Sequence, residues 1–140
     1  MKSSREFVRA AALFCLIAQV LVVAQAADRM ATGQWELATT TKGETQVMKF
    51  CADPATLAIA NGDARSGREA LVKLHAASGC KVTDFKADAA MVSYSLACPD
   101  RTVQASETYT GAAYEGVLRT KLASGALDVS NYKGRRLGPC

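Results

Sequence analysis

Apolar and polar residues alternate in short runs along most of this chain, and one stretch interrupts the alternation. Trp35, Leu37 and Thr39 stand two apart with Glu36 and Ala38 between them, the spacing of a strand buried on one face. Lys42-Gly43-Glu44 supplies a turn, and Thr45 to Cys51 resumes with Met48 and Phe50 opposed to Val47 and Lys49, so this region predicts a hairpin. The rhythm then changes. Asp53-Pro54 places an N-cap acceptor before a proline at the first helical position, and Ala55 to Ala60 follows until Asn61-Gly62-Asp63 breaks the helix. Ser66-Gly67-Arg68-Glu69 has capping-box spacing, Leu71, Leu74 and His75 share one helical face, and Ser78-Gly79 ends the second helix.

After Cys80 the strand rhythm returns. Lys81 to Lys86 is a strand, Ala87-Asp88-Ala89-Ala90 a turn, and Met91 to Cys98 the return, with Val92, Tyr94 and Leu96 opposed to Ser93 and Ser95. Pro99-Asp100 turns the chain into Val103 to Thr110. Tyr114, Gly116, Leu118, Thr120 and Leu122 then share a face against Glu115, Arg119 and Lys121, and Ser124-Gly125 leads to a last strand from Leu127 to Arg136. The prediction is an α+β fold: an antiparallel β-meander of about seven strands, as a curved sheet or partial barrel, with a short helical insertion after strand two.

The N-terminus has a different character. Lys2, Arg5 and Arg9 stand against the single acid Glu6, an apolar run extends from Ala10 to Ala24, and Ala24-Gln25-Ala26 offers small residues before a cleavage point. That is the build of a secretory signal. Residues 1–26 are therefore expected to be a signal peptide cut between Ala26 and Ala27, leaving 27–140 as a single exported domain. Cys15 does not suit lipidation, because the bulky Leu13-Phe14 precedes it. An uncleaved anchor over Ala10 to Ala27 is opposed by Gln19, Gln25 and the short apolar core, so no stable membrane span is expected after cleavage.

Export changes the meaning of the cysteines, since disulfides persist outside the cytoplasm. Of five cysteines, Cys15 leaves with the leader, and Cys51, Cys80, Cys98 and Cys140 read as two disulfides in one of three connectivities. Folding Cys80–Lys86 back on Met91–Cys98 brings Cys80 and Cys98 to one end of adjacent strands, which favours that pair together with Cys51–Cys140. The rival joins Cys51 to Cys80 across the helices. No C-x-x-C knuckle is present to suggest zinc, and no metal or other cofactor is expected. The formal charge is +4 at pH 7 for 17 Lys and Arg against 13 Asp and Glu; without Lys2, Arg5, Arg9 and Glu6 the balance is 14 against 12. Such a balance does not suit nucleic acid, and the one basic cluster, Lys133, Arg135 and Arg136, reads as a solvated strand end.

Several local strings are similar to one known family. They are Gly33-Gln34-Trp35-Glu36, Cys51 before a proline-started helix, Gly79-Cys80-Lys81-Val82-Thr83-Asp84-Phe85, and Val92-Ser93-Tyr94-Ser95 leading to Cys98-Pro99. Tyr109-Thr110-Gly111, Tyr114-Glu115-Gly116 and the ending Gly134-Arg135-Arg136-Leu137-Gly138-Pro139-Cys140 complete the set. Together they resemble the small exported bacterial proteins of domain of unknown function 3617, across nearly the whole exported part. The turn Ala87-Asp88-Ala89-Ala90 departs from the glycine or asparagine expected there. The resemblance implies a periplasmic or secreted location in a Gram-negative bacterium and no particular activity.

Chemistry is sparse. His75 is the single histidine, in the last turn of a helix, where it packs or complements the helix's negative end more readily than it serves as a base. There is no Gly-x-Ser-x-Gly elbow to supply a nucleophile. Asp84 with Asp88, or Glu107 with Glu115, would be the carboxylate pairs for glycoside chemistry, although solvated strand and turn positions account for all four. Asn61-Gly62-Asp63 lacks the rest of a phosphate loop. Trp35, Phe50, Phe85, Tyr94, Tyr109, Tyr114 and Tyr132 either fill a solid core or line a ligand cavity in a curved sheet. The expectation is a non-enzymatic periplasmic protein that binds a small apolar or amphipathic ligand or acts as an interaction module with another periplasmic protein. The alternatives are a hydrolase-like enzyme using His75 or a carboxylate pair, and a redox protein with an active disulfide.

Overall fold

Strands β1 (Gln34–Thr41), β2 (Glu44–Cys51), β3 (Lys81–Ala87), β4 (Met91–Ala97), β5 (Arg101–Tyr109), β6 (Ala113–Leu122) and β7 (Leu127–Gly138) form a seven-stranded antiparallel sheet in the order β2-β1-β7-β6-β5-β4-β3. The computed structural model describes residues 28–140; the expected leader, Cys15 and the cleavage pair Ala26 and Ala27 lie outside the described residues. Two runs of sequential hairpins, β1–β2 and β3–β7, are sewn together where β1 pairs with β7. The curved sheet stays open, with β2 and β3 as its edges. Helices α1 (Pro54–Asn61) and α2 (Ser66–His75) carry the chain from one edge to the other. No helix among the described residues is long and apolar enough to cross a membrane.

Directly opposed residues of antiparallel strands share a face, so the register defines the inner surface. It carries Trp35 and Leu37 on β1, Tyr132 and Gly134 on β7, Tyr114, Gly116 and Leu118 on β6, and Glu107 and Tyr109 on β5. Val92, Tyr94 and Leu96 on β4 continue it to Phe85 on β3. The helices cover this face: Ala60 of α1 and Leu71 of α2 join Met30, Trp35, Phe85 and Val92 in one buried cluster. Trp35, Leu71 and Val92 are the largest side chains fully removed from water, and burying a side chain such as Leu71 contributes roughly 1.5–3 kcal/mol. Leu127 and Val129 look strand-like in sequence but fall on the outer face and stay exposed, because Asp128, Ser130 and Tyr132 take the inner register of β7.

Local polar groups set the helix ends and turns. Asp53 caps α1 by accepting from the Thr56 N–H at 2.7 Å. The box expected at Ser66–Glu69 forms three residues earlier. Asp63 accepts from the backbone of Arg65 and Ser66, while the Ser66 hydroxyl accepts from the Asp63 N–H at 3.0 Å. A carboxylate can take several donors at once, so it displaces the single hydroxyl as the cap. Glu69, left over, pairs with Arg65 at 3.1 Å. At the β3–β4 turn Asp88 replaces the expected glycine by chemistry: its carboxylate accepts from the N–H of Ala90 at 3.0 Å and of Met91 at 2.8 Å, an Asx-type turn. Those two N–H groups hold its carboxyl below the usual carboxylate range.

The N-terminal segment is threaded into the helical side. Asn61 grips the Met30 backbone twice, accepting from its N–H at 2.8 Å and donating to its carbonyl at 2.9 Å. Arg29 donates to the carbonyls of Ala60, Gly62 and Asp88, which ties α1 to the β3–β4 turn.

Of the three connectivities open to four cysteines, the structure has Cys80–Cys98 and Cys51–Cys140. The first lies one step beyond the Lys81–Ala97 pair, with Cα atoms 4.1 Å apart. In the second, the chain leaving β7 crosses the start of β1 to reach the end of β2, with Cα atoms 5.9 Å apart. Because the Cys51–Cys140 link closes 89 residues and Cys80–Cys98 only 18, loop entropy predicts losses of about 4–5 and about 3 kcal/mol for the paired serine variants. Urea unfolding of C51S/C140S and C80S/C98S measures both, and the reverse ranking would show that unfolded-state entropy is not what these links control.

Two glycines on the inner face are needed for space. A Cβ on Gly134 would lie 2.1 Å from Cε1 of Tyr114, and one on Gly116 would lie 2.5 Å from Cζ of Tyr132. Tyr114 cannot yield, because it is packed against Trp35, Tyr109 and Tyr132 at centroid separations of 5.5, 5.5 and 6.2 Å. Gly134→Ala is therefore expected to cost about 1–3 kcal/mol by overpacking. An unchanged urea midpoint in G134A would show that the tyrosine ring does not rest on this glycine.

Candidate functional site

The helices do not press onto the whole inner face. Between them and the sheet lies a cavity of about 370 Å³, within the range of small-molecule sites, about 300–1,000 Å³. Its helical wall is Ile59 and Ala60 of α1 with Leu71, Leu74 and His75 of α2, and its floor includes Leu37, Leu118 and four tyrosines of the sheet. The predicted helical stripe Leu71, Leu74 and His75 thus splits in duty: Leu71 is buried in the core, while exposed Leu74 and half-buried His75 also face the hollow.

The aromatic residues divide in the same way. Trp35 and Phe85 fill core, and Phe50 packs at its margin. Tyr94, Tyr109, Tyr114 and Tyr132, the only tyrosines of the chain, line the cavity from four successive strands, β4, β5, β6 and β7. They converge because Gly116 opposes Glu107 and Gly134 opposes Tyr114, so neither glycine raises a side chain between the rings. At their centre is Glu107. Its Oε1 accepts from the Tyr132 hydroxyl at 2.9 Å and its Oε2 accepts from the Tyr109 hydroxyl. Burial raises all four phenols above the usual 10.0, and the adjacent Glu107 charge raises them further, with Tyr114 pushed up to about 12. The rings therefore stay neutral donors at physiological pH.

The paired carboxylates considered from sequence do not meet at this site. Glu107 faces the cavity, whereas Glu115 opposes Thr108 on the outer face. Asp84 is exposed and pairs with Lys86 at 3.6 Å, and Asp88 is spent on its turn. His75 shares the cavity with Glu107 but stands on the helical wall, its Nδ1 3.4 Å from the Ser78 hydroxyl, which itself donates to the His75 carbonyl. The cavity hydroxyl of Ser130 is paired with Thr41 at 2.6 Å. In the basic cluster, Arg135 bonds Glu36 of β1 at 2.8 Å and Arg136 donates to the Thr32 carbonyl just before β1 at 2.7 Å, so both are spent on structural contacts of β7. No group of three His, Cys, Asp or Glu among the described residues is placed to hold a metal ion. Sequence alone does not mark Glu107 as an anchor, because its neighbours in the chain are polar. The available signal was its place two residues before Tyr109, in the inward phase of β5 that Val103 and Ala105 also occupy.

Fold and site together define a class: small, disulfide-tied, half-open β-sheet domains whose concave side holds a tyrosine-lined hollow under a helical cover. Residues 30–140 match the family described as Protein of unknown function (DUF3617), and the chain belongs to that family. No match was found among curated proteins or among solved structures.

The folded chain holds the phenolic protons more tightly than the unfolded chain does. Their contribution to stability is thus complete below pH 10.0 and declines as the pH rises above it. A spectrophotometric titration of the folded protein is expected to show little phenolate at pH 10.0, where a denatured control is half-ionised, and a first step near 12 from Tyr114. Four tyrosines titrating together at the usual value would mean that water reaches the whole cluster.

Proposed function

We propose that this protein is a non-enzymatic, periplasmic or secreted binding protein that holds a small apolar or amphipathic molecule between its helices and the inner face of its sheet. The observation that carries the reading is the cavity itself, mostly apolar, with one carboxylate fixed by two hydroxyls at its floor. Ligand sites have this character: an apolar lining with a few well-placed polar groups. Export is supported by the leader-like N-terminus and by four cysteines joined as two disulfides. Binding is favoured over hydrolysis because the candidate groups are already engaged: Glu107 by tyrosines and Ser130 by Thr41. It is favoured over redox chemistry because both links sit where they tie strands: Cys80–Cys98 packs on the core at the end of a hairpin, and the more exposed Cys51–Cys140 joins β2 to the chain beyond β7.

Native mass spectrometry of the exported protein, collected without refolding, is expected to show a bound small molecule. Leu118→Trp, which projects from the floor into the cavity, is expected to weaken retention about tenfold or more, equivalent to about 1.4 kcal/mol, with the circular dichroism of the sheet unchanged. An apo mass for the natural protein, with L118W and the parent behaving alike toward added alkyl compounds, would overturn the reading.

A further inference from the structure

Resting on that cavity reading, we propose that the ligand is an alkylammonium amphiphile, its cationic head seated at Glu107 within the four tyrosines and its aliphatic body against Leu37, Leu118 and the helical leucines.

The argument starts from charge. Among the side chains lining the cavity, Glu107 is the one carboxylate, and no lysine or arginine is present. The other titratable groups that face the hollow are the four tyrosines from β4 to β7 and His75 from α2. The phenols are neutral at physiological pH, so the sheet side presents a single negative charge in apolar surroundings. That charge is partly desolvated and has no cationic partner among the described residues, since its recorded partners are two neutral hydroxyls. An anionic head would be repelled here, and a neutral head would leave the charge uncompensated; a cation answers it.

The geometry adds a second reason. Aromatic faces attract cations through the ring quadrupole, and the attraction strengthens away from water. Tyr109 and Tyr132 turn their hydroxyls to Glu107, which gathers the polar ends of two phenols at the carboxylate and sets their rings beside it. Tyr114 packs between them, at 5.5 and 6.2 Å from the two ring centres. A carboxylate ringed by tyrosines is the arrangement that recognises ammonium groups, including methylated ones that offer no N–H donor. Each oxygen of Glu107 accepts one hydroxyl and keeps acceptor capacity, so the site offers an ammonium head its negative charge and, where the head bears N–H, a further hydrogen bond. Beyond the head, Met30, Leu37, Ile59, Leu71, Leu74 and Leu118 give an alkyl tail an aliphatic surface to lie against, with Thr39, Thr56, His75 and Ser130 as the remaining polar lining.

Isothermal calorimetry on the intact oxidised protein tests this with decyl compounds that differ only in the head: trimethylammonium, alcohol, carboxylate and phosphocholine, each below its micelle-forming concentration. Decyltrimethylammonium is expected to bind at least about tenfold tighter than decanol and decanoate. Glu107→Gln should erase that preference, while Glu115→Gln on the outer face preserves it. Decylphosphocholine binding as tightly as the monocation would support an ammonium head and assign its source to a zwitterionic lipid; weaker binding would support a free cationic amphiphile. If decanol and decanoate bind the parent protein as well as the cation, the head-group assignment falls and the cavity reading survives. If no decyl compound binds and L118W changes nothing, the cavity reading falls and takes this one with it. The head-group series on the unsubstituted protein decides the matter even if E107Q does not fold.

Discussion

The ladder between β1 and β7 joins the beginning of the domain to its end, and the other elements depend on it for their places. Without it, β1–β2 would be a lone hairpin, which is marginal in water, and β3–β7 a sheet with its inner face half covered. Pairing Trp35 opposite Arg136 and Leu37 opposite Gly134 puts Trp35 over the middle of the domain, where it meets Tyr114. Such a contact closes a long loop of chain, which is entropically unfavourable in the unfolded ensemble. The Cys51–Cys140 link lies across the same junction, joining β2 to the chain beyond β7 over the start of β1, and so removes much of that entropic cost. Covalent and hydrogen-bonded closure coincide at one place.

Core and cavity are made by the same device. The inner face is thin at its centre, where Ala105, Gly116 and Gly134 leave room, and thick around it, where rings lie down over them. Tyr132 covers Gly116 and Tyr114 covers Gly134, so the sheet gains aromatic contacts without filling the space under the helices. The helices then span a hollow, held up by the cluster of Leu71, Phe85 and Met30, the last of these on the segment that Asn61 grips. Gly67 of α2 must lie against the Phe85 ring, since a Cβ there would sit 2.5 Å from its Cζ. This contact fixes how low the cover can ride.

Most of the architecture was legible because it is local. Alternation placed the strands, Asp53-Pro54 and the apolar stripe placed the helices, and the β3–β4 hairpin brought Cys80 and Cys98 together. The β1–β7 junction was not legible, because nothing in either strand names its partner; both carry ordinary alternation. The second helix starts by another cap than expected because Asp63 competes for the same donors as Ser66 and offers a stronger acceptor. Of the site, the tyrosines were visible as candidates while their anchor was not. Alternation already sets Glu115 out of phase with Tyr114 and Glu107 in phase with Tyr109, but only the register across β5 and β6 brings Glu107 to the rings of neighbouring strands.

Trp35 is the only tryptophan of the chain, and it touches the ring cluster at Tyr114. Tyr114, Tyr109 and Tyr132 therefore sit within one or two ring contacts of a single indole, close enough to pass excitation energy to it. The molecule's ultraviolet emission is consequently a report from one address, a fluorophore shielded from solvent and separated from the hollow by a single aromatic ring. A molecule placed in that hollow would alter the surroundings of the donors, and the optical readout would need no added label.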